Sequence, residues 1–303
     1  MVRHAPSPDG ALVFDRAAVR AHRDRAAARF AGRGDFLVRE VGERLVGRLD
    51  DVKRRFARVL DLGCHSGQLA PLLRRRGAPE LLVEADLSPA MAARAAGTCR
   101  LAADEEWLPF RDGSLDLVIS ALSLHWVNDL PGALVQIRRA LKPDGLLLAA
   151  MLGGDTLFEL REAFLRAEAA GEGGARPHVS PFPDVQTLGA LLQRAGFALP
   201  VVDSDRITVT YGGADALMRD LRAMGEANAT QERDRHFARR ATFRAADACY
   251  RETFGTSDGR IPATFQILYL TGWRPHESQQ QPARRGSGTT PLAAALRPDA
   301  PSP

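Results

Sequence analysis

The chain has few of the residues that mark disulfide scaffolds, membrane spans and nucleic-acid binding. Its three cysteines, Cys64, Cys99 and Cys249, are odd in number and lack metal-ligand spacing, which indicates a reducing compartment. No apolar run approaches the roughly 18 residues of a membrane span, so we predict no transmembrane segment. Only two of the 41 basic residues are lysines, Lys53 and Lys142, and aromatic residues do not interleave with the basic ones. We therefore predict no nucleic-acid partner.

The composition is that of a globular protein with a basic surface. Hydrophobic residues make up 45% of the 303 residues and the mean hydropathy is −0.20. Such a chain can bury a sizeable core, as one large domain or as a core with an elaboration. The formal net charge is +4 and the isoelectric point is near 9.3. An arginine-rich surface could meet an acidic partner, or it could reflect codon usage alone.

The most informative stretch is residues 57–73, ARVLDLGCHSGQLAPLL. An apolar strand ends at Asp61, Gly63 and Gly67 bracket a turn, and helical spacing follows. Glycine suits this turn because the backbone bends sharply and approaches a ligand closely, which a Cβ would obstruct. The DxGxxxG spacing favours a nucleoside that carries an amino acid over a pyrophosphate. On its own, the motif is also compatible with a plain strand-to-helix turn.

Later strands also end in polar residues. The second strand ends at Asp86, 23 residues beyond Gly63, about where an acid binds both ribose hydroxyls in a doubly wound fold. Ser88 follows as a helix N-cap with a proline at the first helical position. The third strand leads to Asp104, and the fourth leads to SLHW at residues 123–126. Because open α/β sheets bind ligands at the carboxyl ends of their strands, the series predicts an α/β fold with a nucleoside site. Any single acid could instead be an exposed loop residue.

At these motifs the chain resembles the class I S-adenosylmethionine-dependent methyltransferases over residues 57–154. DLGCHSG matches their glycine motif, EADLS their ribose acid and AADEEWLPF the acid near the adenine amine. The resemblance implies a Rossmann-like, doubly wound, mostly parallel seven-stranded sheet, with S-adenosylmethionine as the cofactor. It places Asp86 on the ribose, Asp104 near the adenine amine, and Asp61 with the glycine turn at the methionine end. The predicted cofactor-binding residues are Asp61, Gly63, Cys64, His65, Gly67, Asp86, Leu87, Asp104, Glu105 and Ser120.

His65 departs from the family pattern, because the family usually has glycine at this position. Histidine tolerates unusual φ values better than most residues, so we expect the turn to form. We predict that the ring borders the methionine carboxylate of the cofactor. Binding would then strengthen as the pH falls toward about 6.5, since the imidazolium attracts that anion.

Further motifs narrow the resemblance and extend it over residues 14–288. GGDTLFELREAF and LMRDLRAMGEAN resemble a subfamily that includes a mitochondrial complex I assembly factor regarded as an arginine hydroxylase. The malonyl-carrier-protein methyltransferase of biotin synthesis is a more distant relative. The resemblance implies an enzyme that modifies a protein partner during assembly of a respiratory NADH dehydrogenase. The alternatives are a malonyl-carrier-protein or small-molecule carboxylate O-methyltransferase and a non-catalytic assembly chaperone.

Three residues are candidates for the catalytic machinery. His125 and Trp126 follow the fourth strand, where His125 could accept a proton or orient the substrate, and where both could instead serve the loop and its packing. Asp155 could act on the substrate or cap the helix after the fifth strand. We find no two-histidine, one-carboxylate set for iron and predict no metal site. Methyl transfer needs little beyond placement of the acceptor, so the lack of an obvious catalytic dyad is compatible with it.

The domain prediction has three parts. Residues 1–50 form an N-terminal helical lid, although the basic helical stretch at 14–30 could also be a transit peptide. Residues 51–275 form the cofactor-binding domain, with a helical insert at about 212–260 that covers the substrate or forms a dimer surface. Residues 276–303 form a disordered tail. We predict a bacterial cytoplasmic location, or the mitochondrial matrix in a eukaryote, and leave open a peripheral membrane association.

Overall fold

The computed structural model describes residues 12–97, 99–169, 177–233, 240–280 and 286–288. Within these residues, seven strands form one sheet in the order β3-β2-β1-β4-β5-β7-β6. All neighbouring strands are parallel except β7, which runs antiparallel to both β5 and β6. The predicted doubly wound α/β sheet is therefore confirmed. The strands are β1 (Arg58–Leu62), β2 (Leu81–Asp86), β3 (Cys99–Ala102), β4 (Leu115–Ala121), β5 (Leu141–Leu152), β6 (Ala198–Tyr211) and β7 (Ile261–Trp273).

Helices cover both faces of the sheet, which explains why its central strands are almost entirely apolar. The α5 and α7 helices pack on one face, and α2, α3, α6, α8 and α9 pack on the other. The helices are α1 (Arg16–Arg29), α2 (Phe36–Gly47), α3 (Leu69–Gly77), α4 (Pro89–Ala92), α5 (Leu130–Ala140), α6 (Phe158–Ala169), α7 (Val185–Arg194), α8 (Ala214–Met224) and α9 (Arg240–Phe254). Ser88 caps α4 as predicted, since its side chain accepts a hydrogen bond from the Met91 N–H.

Two helices precede the first strand, in the region predicted as a helical lid. They are not continuous, because a π-helical turn at Phe30–Gly34 separates α1 from α2. The chain just before α1 is fixed to the insert, where Phe14 forms an isolated antiparallel bridge with Thr230. The Phe14 N–H also donates to Asn128 Oδ1 at 2.8 Å, next to the fourth strand. These contacts hold α1 over the carboxyl ends of the strands.

The predicted helical insert lies between β6 and β7 and contains α8 and α9. In the described part of the chain α9 begins at Arg240, and Glu232 lies in a turn between the two helices of the insert. Most of the predicted tail lies outside the described residues. Among the residues that the structure describes, no helix combines the length and the apolar character needed to cross a membrane. The domain boundaries themselves stay a prediction.

Candidate functional site

The glycine turn after β1 has the geometry that the sequence predicts. Gly63 and Gly67 have φ values of +73° and +85°, in the left-handed region that favours glycine. A Cβ on Gly63 would lie 2.1 Å from the Ser123 side chain, and one on Gly67 would lie 2.5 Å from Glu84 Oε1. Both positions therefore need glycine for conformation and for space.

Asp61 is a fully buried carboxylate at the end of β1. Neither of its oxygens accepts a hydrogen bond from any residue that the structure describes. Burial raises the pKa of Asp61 well above its usual range, and the nearby carboxylates of Glu84 and Asp86 add to this effect. An unpaired buried carboxylate is costly, and a cation that bonds to it offsets that cost. The ammonium group at the methionine end of S-adenosylmethionine is a cation that donates hydrogen bonds, the partner that this carboxylate lacks. Asp61 therefore fits the predicted cofactor.

Asp86 ends β2 and already has partners on both oxygens. Its Oδ2 accepts from the His65 N–H at 3.0 Å, and its Oδ1 accepts from the Ser88 N–H at 2.8 Å. The guanidinium of Arg23, a fully buried residue of α1, lies 3.4 Å from Oδ2. The acid predicted to bind the cofactor ribose is thus engaged by an arginine from the N-terminal helix.

Arg23 also joins Asp86 to the end of the third strand. Its guanidinium lies 3.2 Å from Glu105 Oε1 and donates to Ser123 Oγ at 2.9 Å. One helical face of α1 carries a second arginine, Arg16, which pairs with Glu105 and, at 2.5 Å, with Asp104. Burial alone would raise the pKa of Glu105, but the charges of Arg16 and Arg23 outweigh this effect and hold the pKa at about 2. Two arginines of α1 therefore neutralise the acids predicted to bind the ribose and adenine.

The structure gives the His65 side chain a partner that the sequence did not predict, and its place beside the methionine carboxylate stays a prediction. Its φ of +49° lies in the left-handed region, as the substitution for glycine requires, but the ring turns away from solvent and is buried. It stacks on Phe30 with 5.2 Å between ring centroids, and Nε2 lies 3.1 Å from the Ala121 carbonyl oxygen. Burial and then the charge of Arg23 lower the pKa of His65. The apolar ring of Phe30, 35 residues earlier in the chain, packs against the imidazole and explains this orientation.

The remaining predicted cofactor residues lie around the same strand ends. Cys64 is buried, and burial raises the pKa of its thiol well above the usual range. Ser120 is buried near the end of β4, and its Oγ has no hydrogen-bond partner among the described residues. Leu87 is half-buried against the small apolar cluster that includes Phe14 and Trp126. The structure brings these side chains to one edge of the sheet, and their roles toward a cofactor stay predictions.

His125 and Trp126 share one acidic partner, Glu226, which follows α8 in the insert. Both His125 Nε2 and Trp126 Nε1 lie 3.0 Å from Glu226 Oε2. Because a carboxylate only accepts hydrogen bonds, Nε2 of His125 donates and therefore carries a proton. Burial alone would raise the pKa of Glu226, but His125 and Arg23 outweigh it and lower the pKa. His125 and Trp126 therefore position an ionised carboxylate.

Glu226 lines a cavity of about 190 Å³ that we call the acceptor cavity. Its walls are mainly apolar and aromatic, and a few polar side chains lie among them. The cavity is lined by Trp126, Leu152, Leu157, Leu160, Phe164, His178, Val179, Ser180, Phe182, Met218, Leu221, Arg222, Glu226, Ala227, Asn228, Phe243 and Phe265. Asp155 is absent from this wall. Its half-exposed carboxylate pairs with Arg206, and α6 begins only at Phe158, so the predicted N-cap does not form.

Sequence reasoning missed Arg16, Arg23 and Glu226. The two arginines had a signal, since they lie seven residues apart on a helical face that also carries Val19 and Ala26, both buried. Arginines on a buried helical face need acids opposite them. Glu226 had a weaker signal, the left-handed Gly225 that ends α8 and turns the chain toward the sheet.

Comparisons with known proteins agree with this geometry. The family described as "Methyltransferase domain" matches residues 60–149. The chain is similar to the human mitochondrial protein named arginine-hydroxylase NDUFAF5, with 46% identity over 95% of this chain and 84% of the relative. It is 42% identical to a malonyl-[acyl-carrier protein] O-methyltransferase of Laribacter hongkongensis, over 88% and 91% of the two chains. A crystal structure of a Bacillus halodurans protein described as a methyltransferase shares the fold, with a TM-score of 0.54, 15% identity and coverage of 77% and 99%.

Proposed function

Because the chain belongs to the S-adenosylmethionine-dependent methyltransferase family that includes arginine-hydroxylase NDUFAF5, we propose that it modifies an arginine side chain of a protein partner. The partner is a subunit of the respiratory NADH dehydrogenase during its assembly. The observation that carries this proposal is the ionised Glu226 in an apolar cavity beside the predicted cofactor site. The reaction takes place in the bacterial cytoplasm or, in a eukaryote, in the mitochondrial matrix.

Each of the residues at the strand ends binds a different part of the cofactor. Bound S-adenosylmethionine supplies a methyl group activated on a positively charged sulfur. Asp61 binds the ammonium group, and the backbone of the glycine turn lies against the methionine end. Asp86 binds the ribose hydroxyls after Arg23 withdraws from it, and Asp104 lies near the adenine. The protein contributes placement and exclusion of water, which can account for a large part of the rate.

The acceptor cavity suits one long side chain with a cationic end. At about 190 Å³ it is smaller than the roughly 300–1,000 Å³ of sites for drug-sized ligands. Its apolar walls match the aliphatic stem of an arginine, and the Glu226 carboxylate matches a guanidinium, which carboxylates bind with charge-assisted hydrogen bonds. No described residue donates a hydrogen bond to Glu226 Oε1, which leaves this oxygen for the substrate.

A second candidate is O-methylation of a carboxylate on a carrier protein. Arg222 favours it, because this exposed arginine lines the same cavity and has no ion pair with a described residue. A carboxylate at the cavity entrance would pair with Arg222 and avoid Glu226. The arginine substrate thus depends on the negative charge of Glu226, and the carboxylate substrate depends on the positive charge of Arg222.

A deletion strain separates the candidates. We expect loss of the gene to lower respiratory NADH dehydrogenase activity, while growth without biotin stays normal. Complementation with Glu226→Gln should fail, whereas Asp155→Asn, a change outside the cavity, should restore activity. Mass spectrometry of the dehydrogenase subunits then shows whether the arginine gains a methyl group or a hydroxyl oxygen. Normal dehydrogenase activity with a biotin requirement would replace this proposal with the carrier-protein reaction.

A further inference from the structure

A second, strongly cationic surface lies between α1 and α8. It is a groove of about 580 Å³, which we call the basic groove. Arginines from both helices line it, and one histidine lies among them. The lining residues are His22, Arg25, Ala26, Arg29, Arg219, Asp220, Arg222, Ala223 and Ala227.

Most of these arginines have no ion-pair partner among the residues that the structure describes. Arg219 pairs with Asp215 at 2.5 Å. Arg25, Arg29 and Arg222 are exposed and form no ion pair with any residue in the described ranges. Arg25 and Arg29 lie four residues apart on α1, so they project from one face of the helix. Three guanidinium groups without an ion-pair partner in the described ranges therefore line the groove, together with one carboxylate, that of Asp220.

The positive charge of Arg25 acts on the neighbouring side chain of His22. Its ring lines the groove and its Nδ1 lies 3.2 Å from the Ala227 carbonyl oxygen. Burial lowers the pKa of His22 and the positive charge of Arg25 lowers it further, whereas the contact with the Ala227 carbonyl and the charge of Glu226 oppose these effects. The groove thus disfavours an additional positive charge and attracts a negative one.

The basic groove adjoins the acceptor cavity. Arg222 and Ala227 line both of them, so the groove reaches the cavity wall at the C-terminal end of α8. A polypeptide that inserts one side chain into the cavity would carry its neighbouring residues along the groove. The chemistry of the groove then selects which residues those neighbours can be.

We propose that the basic groove binds an acidic segment of the substrate polypeptide, rich in aspartate or glutamate, that flanks the residue to be modified. This inference rests on the proposed function, in which the acceptor is a protein. The groove supplies orientation and a faster encounter through charge complementarity, while the cavity selects the modified side chain. The two parts of the interface use opposite charges, Glu226 inside and arginines outside.

The test uses the full chain and a fluorescein-labelled peptide of eight glutamates. We expect salt-sensitive binding by fluorescence anisotropy, and none for a peptide of eight lysines. The Arg25→Glu/Arg29→Glu variant should bind the glutamate peptide at least about tenfold more weakly, because four units of charge change within one groove. The matched control Arg75→Glu/Arg111→Glu has the same net charge and alters exposed arginines elsewhere, so it should bind like the unmodified chain.

Several results would overturn the proposal. Equal loss in the groove and control variants would mean that only net charge matters. Unchanged binding in the groove variant would place the acidic segment elsewhere. Tighter binding of a single-stranded oligonucleotide or of phosphatidylglycerol vesicles would assign the groove to a different partner. Because these measurements do not need turnover, they are independent of the deletion strain, whose phenotype tests the proposed function itself.

Discussion

Replacing Arg23 with methionine should weaken the fold and, at the same time, increase the gain in stability that the cofactor provides. Arg23 is fully buried with Asp86 and Glu105 within 3.4 Å, and Ser123 Oγ accepts a shorter hydrogen bond from it, at 2.9 Å. In Arg23→Met, two acids lose a buried cation. At the same time, Asp86 becomes available, without a competitor, to the ribose hydroxyls that we propose it binds.

The size of the effect follows from the geometry. Removing one partner of a buried ion pair costs about 3–5 kcal/mol. The contacts of Arg23 to its acids, at 3.2 and 3.4 Å, are longer than the roughly 2.7–2.9 Å of strong charge-assisted bonds, so we take the lower value of about 3 kcal/mol. At roughly 2 °C per kcal/mol for a domain of this size, the melting temperature of Arg23→Met should fall by about 6 °C without cofactor.

Differential scanning fluorimetry and calorimetry would measure both quantities. The cofactor-induced rise in melting temperature should be larger in Arg23→Met than in the unmodified chain, and the affinity for S-adenosylmethionine should be equal or higher. The control Arg20→Met changes an arginine of the same helix whose side chain is 54% exposed, so its stability should change by less than about 0.5 kcal/mol. A loss of cofactor affinity in Arg23→Met would refute the reasoning, because Arg23 would then be a ligand of the cofactor.

Three further predictions concern single side chains. Because the pKa of Asp61 is raised in the folded state, the unmodified chain should lose stability as the pH rises from about 4 through that raised value. In urea titrations from pH 5 to 8, Asp61→Asn should keep its stability. The same variant should bind S-adenosylmethionine at least about tenfold more weakly. His65→Gly should bind the cofactor with a nearly constant affinity ratio to the unmodified chain between pH 6 and 8, since burial and the charge of Arg23 lower the pKa of the ring and disfavour its charged form; a ratio that changes strongly with pH in calorimetry would contradict this. Glu226→Gln should keep cofactor affinity within about threefold but lose modification of the protein substrate, and retained modification in a mass-spectrometric assay would exclude Glu226 from substrate binding.

The sequence predicted those parts of the site that depend on local chain geometry. Asp61, Gly63, Gly67 and Asp86 lie within or beside short strands, and the turn chemistry that follows each strand is readable from neighbouring residues. Because parallel strands of one sheet end at the same edge, local information was enough to bring these residues together. The mostly parallel seven-stranded sheet followed from the same family resemblance.

Long-range contacts set the rest of the site, and the sequence did not predict them. Arg23 meets an acid 63 residues later, and His125 meets Glu226 101 residues later. Neither distance is fixed by periodicity or by a turn signal. The orientation of His65 depended on Phe30, whose position follows from the π-helical turn between α1 and α2. Packing of the N-terminal helices and the insert, which have no fixed register with the sheet, decided these contacts.

The attachment of the segment before α1 couples the proposed cofactor and acceptor sites thermodynamically. Phe14 contacts Trp126 edge-on and bridges to Thr230, so a displacement of α1 that frees Asp86 also disturbs the residues that hold Glu226. Binding free energies of two such sites are reciprocal: whatever factor the cofactor imposes on acceptor affinity, the acceptor imposes on cofactor affinity. An acceptor bound before the cofactor would then change the affinity for the cofactor. The position of α1 would thus determine the order in which the two ligands bind.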